Sequence, residues 1–436
     1  MKCHLKQIVG IILALLLLTA LTMNPILLTA QDQPDSLKKA QEEALRIFID
    51  TPDYYIDFDY VRTEITFVNY VRDRADADLH ILITTQMTGG GGREFTIAFI
   101  GLKKIEGNNN TLKHISRQTD TDDDIRRGLV KILKIGLMQY AAHTPVLDGL
   151  DVSYKKPEEK QAAAQAVEDP WNFWSFRTSL QGEFSGEKSY KYNYLSGSLS
   201  ASRVTEEWKI RLSLYGSYNQ SEYDYSDDFS YIDIQRSYEL SSLAVKSLGK
   251  HWSVGGRSSA WHSTYSNYDM VLGIFPGIEY NIFPYTESTR KLLTFQYLIG
   301  VKHLDYHEET IYLKTSETLS SHSLTISYDI KQTWGSIETY LEGENYLNDF
   351  GKYHFQIYGS IEIRLFKGLS FNCFGYLTFL RDQVSLPRRG ASLEEVLLRR
   401  RQLETSYDYY SSIGLSYTFG SIYNNIVNPH FGGSDS

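Results

Sequence analysis

Hydrophobic and polar residues alternate along most of the chain from residue 171 to about residue 420. In "WKIRLSLYGSY" (208–218) the even positions are mostly aromatic or aliphatic, and the odd positions are mostly charged or small and polar. In "YHFQIYGSIEIRL" (353–365) the odd positions are the apolar ones. Successive side chains of a β-strand point to opposite faces, so a period of two predicts strands with one apolar and one polar face.

These strands are expected to form a membrane barrel and not a soluble sandwich. About twelve strands follow one another, many of them about twelve residues long or more, whereas strands of soluble sheets usually have roughly five or six. Short connections ("VTEE", "LGKH", "IKQTWG", "FKG") alternate with long ones around 223–231, 305–320 and 381–405. An even number of strands with short turns at one rim and long loops at the other is typical of outer-membrane barrels, whose apolar faces meet lipid.

Aromatic residues also lie near the predicted strand ends, where they would form girdles at the lipid boundary. These residues are Trp208, Trp252, Trp334, Tyr346, Tyr353 and Phe419.

A different pattern precedes the barrel. Residues 36–150 read as a small α/β domain, with strands at "ALRIFID", "LHILITT" and "REFTIAFIG". Helices are predicted at "VRTEITFVNYVRDRAD" and at "TDTDDDIRRGLVKILKIGLMQYAA". Residues 151–170 are a charged, Ala-rich linker that carries no core pattern. The predicted fold class is therefore mainly β: a transmembrane antiparallel β-barrel of about twelve strands (171–420) with a small N-terminal α/β domain.

The first thirty residues predict export. Lys2 and Lys6 precede a long apolar run, and Ala30 offers a cleavage position, as in a secretory signal peptide. An uncleaved membrane anchor is the alternative. After cleavage Cys373 is the one cysteine left, so no intramolecular disulfide is expected.

Composition narrows the possible partners. The chain has 44 basic and 53 acidic residues and a formal net charge of -9. It lacks the basic excess that phosphate neutralisation requires, which argues against nucleic acid. The 33 tyrosines suit strands that border both water and lipid.

The last predicted strand, "SIGLSYTF", resembles the carboxyl-terminal insertion signal of bacterial outer-membrane barrels. The residues that carry the resemblance are Ser412, Gly414, Tyr417 and Phe419. It implies recognition by the barrel assembly machinery, and residues 421–436 would then trail into the periplasm as a tail.

Two longer blocks resemble a group of uncharacterised two-part outer-membrane proteins of Gram-negative bacteria. One block runs from "FDYVRTEITFVNYVRDRADADLHILIT" through "GGGGREFTIAFIG" to "RQTDTDDDIRRGL", and the other is "SLPRRGASLEEVLLRRRQLETSYDYYSSIGLSYTFGSIYNNIVNPHFG". The resemblance implies a short periplasmic domain ahead of an outer-membrane barrel, and it implies no activity.

Two motifs that could bind ligands have simpler interpretations. Gly89–Gly92 is followed by a strand and not by a helix, which favours a hairpin turn over a phosphate loop. The segment "DTDDD" lacks the Gly and the bidentate Glu of a calcium loop, so capping of a helix by Thr or Asp is expected.

No enzyme is predicted, and neither are a cofactor, a metal site or catalytic residues. A surface lipase would need an outward Ser and His, but parity places His354 inward and gives His262 no Ser partner. His303 and His307 do not have the context of a metal site.

The inward face of the barrel is the main candidate functional surface. It could be a closed, salt-bridged interior or a water-filled path whose charges select solutes. The predicted pore-lining residues are Arg177, Glu183, Lys209, Arg211, Arg257, Lys302, Asp329, Lys331, Glu338, Glu342, Glu362 and Arg364.

The loop at 381–405 is the most basic stretch. Ser392 and Glu395 predict a capping box that opens a short helix. The loop could fold inward against Glu338, Glu342 and Glu362 as a constriction, grip lipopolysaccharide phosphates outside, or stay solvated. The arginines predicted to act in the constriction or at the surface are Arg388, Arg389, Arg399, Arg400 and Arg401.

The preferred hypothesis is an outer-membrane channel for small polar solutes, with this loop as constriction and the α/β domain in the periplasm. The alternative is a barrel anchor whose α/β domain docks a periplasmic protein. Expected partners are outer-membrane lipid, lipopolysaccharide and the barrel assembly machinery, with no nucleic acid.

Overall fold

The computed structural model describes residues 44–52, 56–150, 169–226, 229–390, 392, 395 and 403–425. The predicted signal peptide (1–30) and nearly all of the predicted linker lie outside these residues. None of the helices in the described part of the chain is long and apolar enough to cross a membrane.

The N-terminal α/β region is a five-stranded sheet with helices on one face. The strand order is β2-β1-β3-β4-β5, in which β1 runs parallel to β2 and β3 and the remaining neighbours are antiparallel. The strands are β1 (Arg46–Asp50), β2 (Asn69–Tyr70), β3 (Leu79–Met87), β4 (Arg93–Gly101) and β5 (Asn109–Ser116), and the helices are α1 (Phe58–Glu64) and α2 (Asp122–Ala141).

The core of this region follows strand parity. Ile81 and Ile83 of β3 and Ile97 of β4 are fully buried and pack with Leu133 and Leu137 of α2. The other face of the sheet carries Phe48, Asp50 and His80. The three strands predicted from the sequence correspond to β1, β3 and β4.

Both motifs that were assigned to local structure are confirmed. The glycine run forms the β3–β4 turn, in which Thr88 N–H donates to Gly92 O at 2.9 Å and Gly91 takes a φ of +82° that favours glycine. Thr121 caps α2, and Thr121 and Asp124 bond reciprocally in a capping box, at 3.2 Å and 3.1 Å.

The helix predicted over 61–76 is wrong beyond its first turn, because α1 ends at Glu64. The Tyr70 hydroxyl donates to the carbonyls of Val61 and Ile65 at 3.2 and 2.9 Å and so satisfies groups that a longer helix would have used. The chain then turns to form β2. The segment after α1 is rich in β-branched residues and has weak helix propensity. Long-range packing therefore determines its conformation, and no helix forms there.

The rest of the chain is a twelve-stranded antiparallel sheet in which each strand pairs with its sequence neighbours. The strands have 11 to 19 residues, as the alternation predicted. They are β6 (Trp174–Gly186), β7 (Tyr190–Val204), β8 (Trp208–Ser226), β9 (Phe229–Ser247), β10 (Trp252–Ser263), β11 (Tyr268–Asn281), β12 (Lys291–Tyr306), β13 (Ser316–Gln332), β14 (Gly335–Tyr346), β15 (Asp349–Phe366), β16 (Leu369–Leu380) and β17 (Tyr407–Tyr417).

The apolar face of this sheet remains uncovered. Leu212 is 44 % exposed and Ile274 is 59 % exposed, and neither belongs to a buried cluster. Side chains from strands as far apart as β8 and β14 line the same cavity on the opposite face. The sheet therefore curls with its polar face inward. The mainly β, barrel-type architecture agrees with the prediction.

The sheet ends at β6 and β17, and within the described residues no ladder joins these two strands. Side chains of both strands are largely exposed. The pairing of the first and last strands that a closed barrel requires is therefore absent between the described strands.

Candidate functional site

The inward face of the curled sheet encloses two cavities of about 410 and 590 Å³ that carry charged side chains and share Arg257. Lys209 lines the smaller cavity, and Arg211, Lys302 and Glu342 line the larger. Each of these residues occupies a strand position whose side chain was predicted to face the inside of the barrel. Five of the predicted pore-lining residues are thus brought together by β8, β10, β12 and β14.

The charges of the cavities are partly paired. Lys302 Nζ lies 2.9 Å from Glu344 and 4.6 Å from the centroid of the Tyr346 ring. Arg257 donates to Gln296 at 3.1 Å, and Gln296 in turn donates to Glu279 at 3.0 Å. The surface therefore offers both cationic and anionic groups to a solute.

Other predicted lining residues lie near the short-turn rim or the edge strand. Asp329 and Lys331 form an ion pair at 2.9 Å, whereas Glu338 and Glu362 are exposed. Arg177 and Glu183 have inward parity on β6 but are exposed, because β6 is an edge of the sheet.

The rim of the sheet opposite to these short turns is closed by an apolar cluster inside the curl. Val271, Leu304, Leu319 and Tyr346 pack there, joined by Val384 from the 381–405 loop. Tyr346 is buried, at 4 % exposure, so its assignment to a lipid-facing girdle is wrong. Its parity, which matches that of Glu342 and Glu344, points it inward.

The start of the arginine-rich loop enters the curl. Val384, Ser385 and Leu386 are buried. The carbonyl of Ser385 accepts from Asn267 Nδ2 at 2.7 Å, and Ile311 N–H donates to Leu386 O at 2.8 Å. The segment that narrows the interior is therefore neutral.

The described arginines of this loop do not reach the acidic residues proposed for a constriction. Arg388 is exposed and pairs with Glu309 at 2.7 Å, and Arg389 faces Glu395 at 3.6 Å. Ser392 and Glu395 form the predicted capping box, with bonds of 2.7 and 3.2 Å. Arg399, Arg400 and Arg401 lie outside the described residues.

Arg364 has inward parity but is engaged by the α/β region. Its guanidinium binds both carboxylate oxygens of Asp50, at 2.8 and 2.9 Å, and lies 5.2 Å from the centroid of the Phe48 ring. His80 Nε2 is 3.4 Å from Asp50 and is fully buried. The alternation along β15 predicted that the Arg364 side chain points inward. Its partner Asp50 lies 314 residues away in sequence, so the alternation could not predict the pair.

The electrostatics of this group are coupled. Burial of Asp50 opposes ionisation, but the nearby His80 ring and the bonds from Arg364 outweigh it and hold the pKa of Asp50 below its ordinary value. Burial lowers the pKa of His80, against the opposing pull of Asp50. His80 is therefore neutral at neutral pH, and Arg364 and Asp50 form the ion pair.

Two further contacts join the same parts of the chain. Lys367 Nζ lies 2.6 Å from Asp76, and Gly368 N–H donates to Asp73 at 2.5 Å. We call the three contacts of Asp50, Asp73 and Asp76 with the end of the β15–β16 hairpin (364–368) the rim contact.

The residues after β17 also bind the α/β region. Arg72 N–H donates to Ile422 O at 3.0 Å, and Asn424 N–H donates to Tyr70 O at 2.9 Å. Residues 421–425 thus extend the edge of the five-stranded sheet at β2. Residues 421–425 are therefore bound and not extended away from the α/β region, because their backbone groups satisfy those of an edge strand. The periplasmic location of 421–436 stays a prediction.

The residues of the predicted insertion signal lie in β17 and just beyond it. Ser412 and Gly414 have inward parity, opposite Phe374 and Asn372. Tyr417 and Phe419 are outward, exposed and stacked, with their ring centroids 5.6 Å apart. Recognition by the assembly machinery stays a prediction.

Comparison with solved structures finds six similar chains, among them a porin and an autotransporter domain. No protein-family model and no curated protein sequence matches the chain. A NanC porin structure is similar over 56 % of this chain and 99 % of its own, with 10 % identity and a TM-score of 0.27. The translocator domain of the autotransporter NalP from Neisseria meningitidis is similar over 66 % of this chain and 98 % of its own length, with 11 % identity and a TM-score of 0.20. Scores this low support no inference about activity.

Several cavity residues were missed by the sequence analysis. Glu239, Glu279 and Glu344 line the cavities, as do Trp261 and Tyr268. Alternation alone could have found the three glutamates, since each shares a face with inward residues of its strand. Within the described chain, no group of three or more His, Cys, Asp or Glu side chains could hold a metal ion.

Proposed function

We propose that this protein is an outer-membrane barrel protein whose curled sheet forms a channel for small polar solutes. The observation that carries the proposal is the pair of charged cavities on the inward face, of about 410 and 590 Å³. Cavities of about 300–1,000 Å³ suit small-molecule solutes.

The membrane location is supported by the outward face. Leu240 is 53 % exposed, Ile274 59 % and Leu415 69 %, on strands whose opposite faces are polar. An exposed apolar face of this extent is unfavourable in water and favourable in lipid. The short turns would face the periplasm together with the α/β region, and the long loops would face outside.

A membrane location also has a consequence for the two edge strands of the twelve-stranded sheet. Unpaired backbone groups of β6 and β17 would cost several kcal/mol each in hydrocarbon, so this proposal requires the two strands to pair with each other in the bilayer.

In this proposal the channel closes at the long-loop rim. Val384 packs in the apolar cluster with Val271, Leu304 and Tyr346, and Leu386 two residues on is also buried. Displacement of this segment would open the larger cavity to the outside. The neutral start of the loop, and not Arg388, then acts as the closing element.

Conductance of the purified full chain in planar bilayers tests the proposal. We expect discrete conductance steps from the wild type and larger or more frequent steps from Val384→Asp/Leu386→Asp, since two carboxylates cannot remain unpaired at buried positions. Arg388→Ala is the matched control in the same loop, because Arg388 is 62 % exposed. If a heat-modifiable, correctly folded wild type and the double variant both leave the bilayer silent, the channel proposal fails.

A second candidate is an anchored module that docks a periplasmic protein through the α/β region. The free edge of the five-stranded sheet favours it: β5 pairs with β4 alone among the described strands, and Ile115 is 61 % exposed. Such an edge can accept a strand from a partner. A single stoichiometric partner captured by cross-linking from β5, with no conductance, would favour this candidate.

A further inference from the structure

A third cavity, of about 450 Å³, lies between the α/β region and the short-turn rim of the sheet. We call it the junction cavity. From the α/β region it is lined by Arg74 and Lys103, and from the turns β13–β14 and β15–β16 by Trp334, Phe366 and Lys367. It combines basic side chains from both parts of the chain with aromatic side chains from the turns.

Two of its cations have no counter-ion among the described residues. Arg364 and Lys367 are neutralised by Asp50 and Asp76 in the rim contact. In contrast, no carboxylate of a described residue lies within ion-pair distance of Arg74 or Lys103. The Nε of Arg74 is buried and has no hydrogen-bond acceptor among the described atoms. The cavity therefore presents two cations that are free to bind an anion.

Two acidic residues, Asp73 and Glu106, also line the cavity, and neither forms an ion pair with Arg74 or Lys103. Asp73 already accepts from the N–H groups of Ala75 and Gly368, at 2.8 and 2.5 Å. Glu106 is exposed and extends the wall toward water.

Lys103 is held in place by an unusual backbone conformation. Its φ is +52°, in the left-handed region that residues with a Cβ avoid. Its Nζ donates to the carbonyl of Asp76 at 2.7 Å, which fixes the ammonium at the cavity wall. Glycine would take this φ without strain, so a lysine here is consistent with a binding role for the ammonium.

The opposite wall borders the lipid-facing surface. Trp334, Leu365 and Phe366 are exposed by 38, 53 and 62 %, and Phe366 lies edge-on to Tyr417. Aromatic side chains of this kind occupy the level of lipid headgroups at the ends of a membrane barrel. An anion in the cavity would thus sit where the phosphates of the periplasmic leaflet lie.

We propose that the junction cavity binds the phosphate of an anionic glycerophospholipid. The guanidinium of Arg74 matches a phosphate with paired N–H donors, the ammonium of Lys103 adds a point charge, and the acyl chains would follow Leu365 and Phe366. The bound lipid would fill the junction between the α/β region and the barrel. This inference rests on the proposed membrane location, and it goes beyond the channel proposal.

Native mass spectrometry of the detergent-purified full chain, titrated with phosphatidylglycerol, tests it. We expect Arg74→Ala/Lys103→Gly to weaken binding roughly tenfold or more, because two charge-assisted bonds are lost. Lys103→Gly also relieves the backbone strain, so loss of binding would not reflect misfolding. Lys104→Ala is the control, since Lys104 neighbours Lys103 and does not line the cavity.

Three results would overturn the assignment. These are equal affinity of the double variant and the wild type, equal binding of phosphatidylcholine, and full competition by glycerol phosphate at the same concentration, which would indicate a soluble phosphate ester instead. Heat-modifiable migration and bilayer conductance are measured in parallel. A silent channel that still binds phosphatidylglycerol selectively would refute the channel and leave the lipid site standing, and the reverse result would refute the lipid site alone.

Discussion

Substitution of Arg364 by alanine is expected to loosen the rim contact. The change removes both bonds to Asp50, at 2.8 and 2.9 Å, and leaves a carboxylate that is 10 % exposed without its guanidinium. Loss of one partner costs about 3–5 kcal/mol in a fully buried pair and about 0.2–1 kcal/mol in an exposed one. Arg364 is 26 % exposed, so we expect roughly 2–3 kcal/mol, which corresponds to a 30- to 150-fold change in the opening equilibrium.

Hydrogen exchange of the full chain in detergent micelles measures this opening. The informative amide is that of Gly368, because its hydrogen bond to Asp73 is part of the rim contact. In Arg364→Ala this amide should exchange roughly 30- to 150-fold faster, in line with that free-energy change. Amides inside α2 should be unchanged.

Lys367→Ala is the matched control. Lys367 is 56 % exposed and also pairs with an aspartate, Asp76, so its loss should cost less than about 1 kcal/mol. Equal exchange rates at Gly368 in Arg364→Ala and in the wild type would refute the reasoning. So would equal effects of Arg364→Ala and Lys367→Ala.

The remaining predictions use the same preparation. Burial holds the pKa of His80 below its ordinary value of 6.5, so the contact is fully stable above about pH 6.5 and weakens as the pH falls below it; His80→Gln should remove this dependence in exchange measurements. Gly136→Ala places a Cβ against the Phe99 ring and should destabilise the α/β region by about 1–3 kcal/mol in denaturant titrations followed by fluorescence. Deletion of 421–436 should deprotect the Arg72 amide, which bonds to Ile422.

The controls for these predictions follow from the same contacts. Ile135→Ala lies on the exposed side of α2, at 53 % exposure, and should change stability by less than about 0.5 kcal/mol. Deletion of the tail should leave Gly368 protected, since its acceptor is Asp73. If His80→Gln keeps the wild-type pH profile between pH 6.5 and 5, a different group titrates.

Strand parity accounts for much of what could be predicted. The alternation in 208–218 and 353–365 determines which side chains share a face, because a strand repeats every two residues. Residue order alone therefore assigns Lys209, Arg211 and Arg257 to the cavity face. The turn at Gly89–Gly92 and the helix cap at Thr121 could also be predicted from the sequence, because their hydrogen bonds join residues only a few positions apart.

Contacts between distant segments could not be predicted in this way. Arg364 had the correct parity, but nothing local reveals that Asp50 neutralises it. Likewise the sequence suggested that the arginines of the 381–405 loop form a constriction, whereas the structure buries Val384 and Leu386 inside the curl. A charged side chain near the rim can remain in water, and a short apolar segment is buried wherever a matching cluster exists.

The sequence by itself determined the strands, their faces and the α/β region that precedes them, since these depend on residue order over a few positions. The tertiary structure alone decided where α1 ends, where the tail binds and which charges are neutralised. Those outcomes depend on which groups meet across hundreds of residues, and the free energy of a buried charge or an unpaired backbone group is set by those partners.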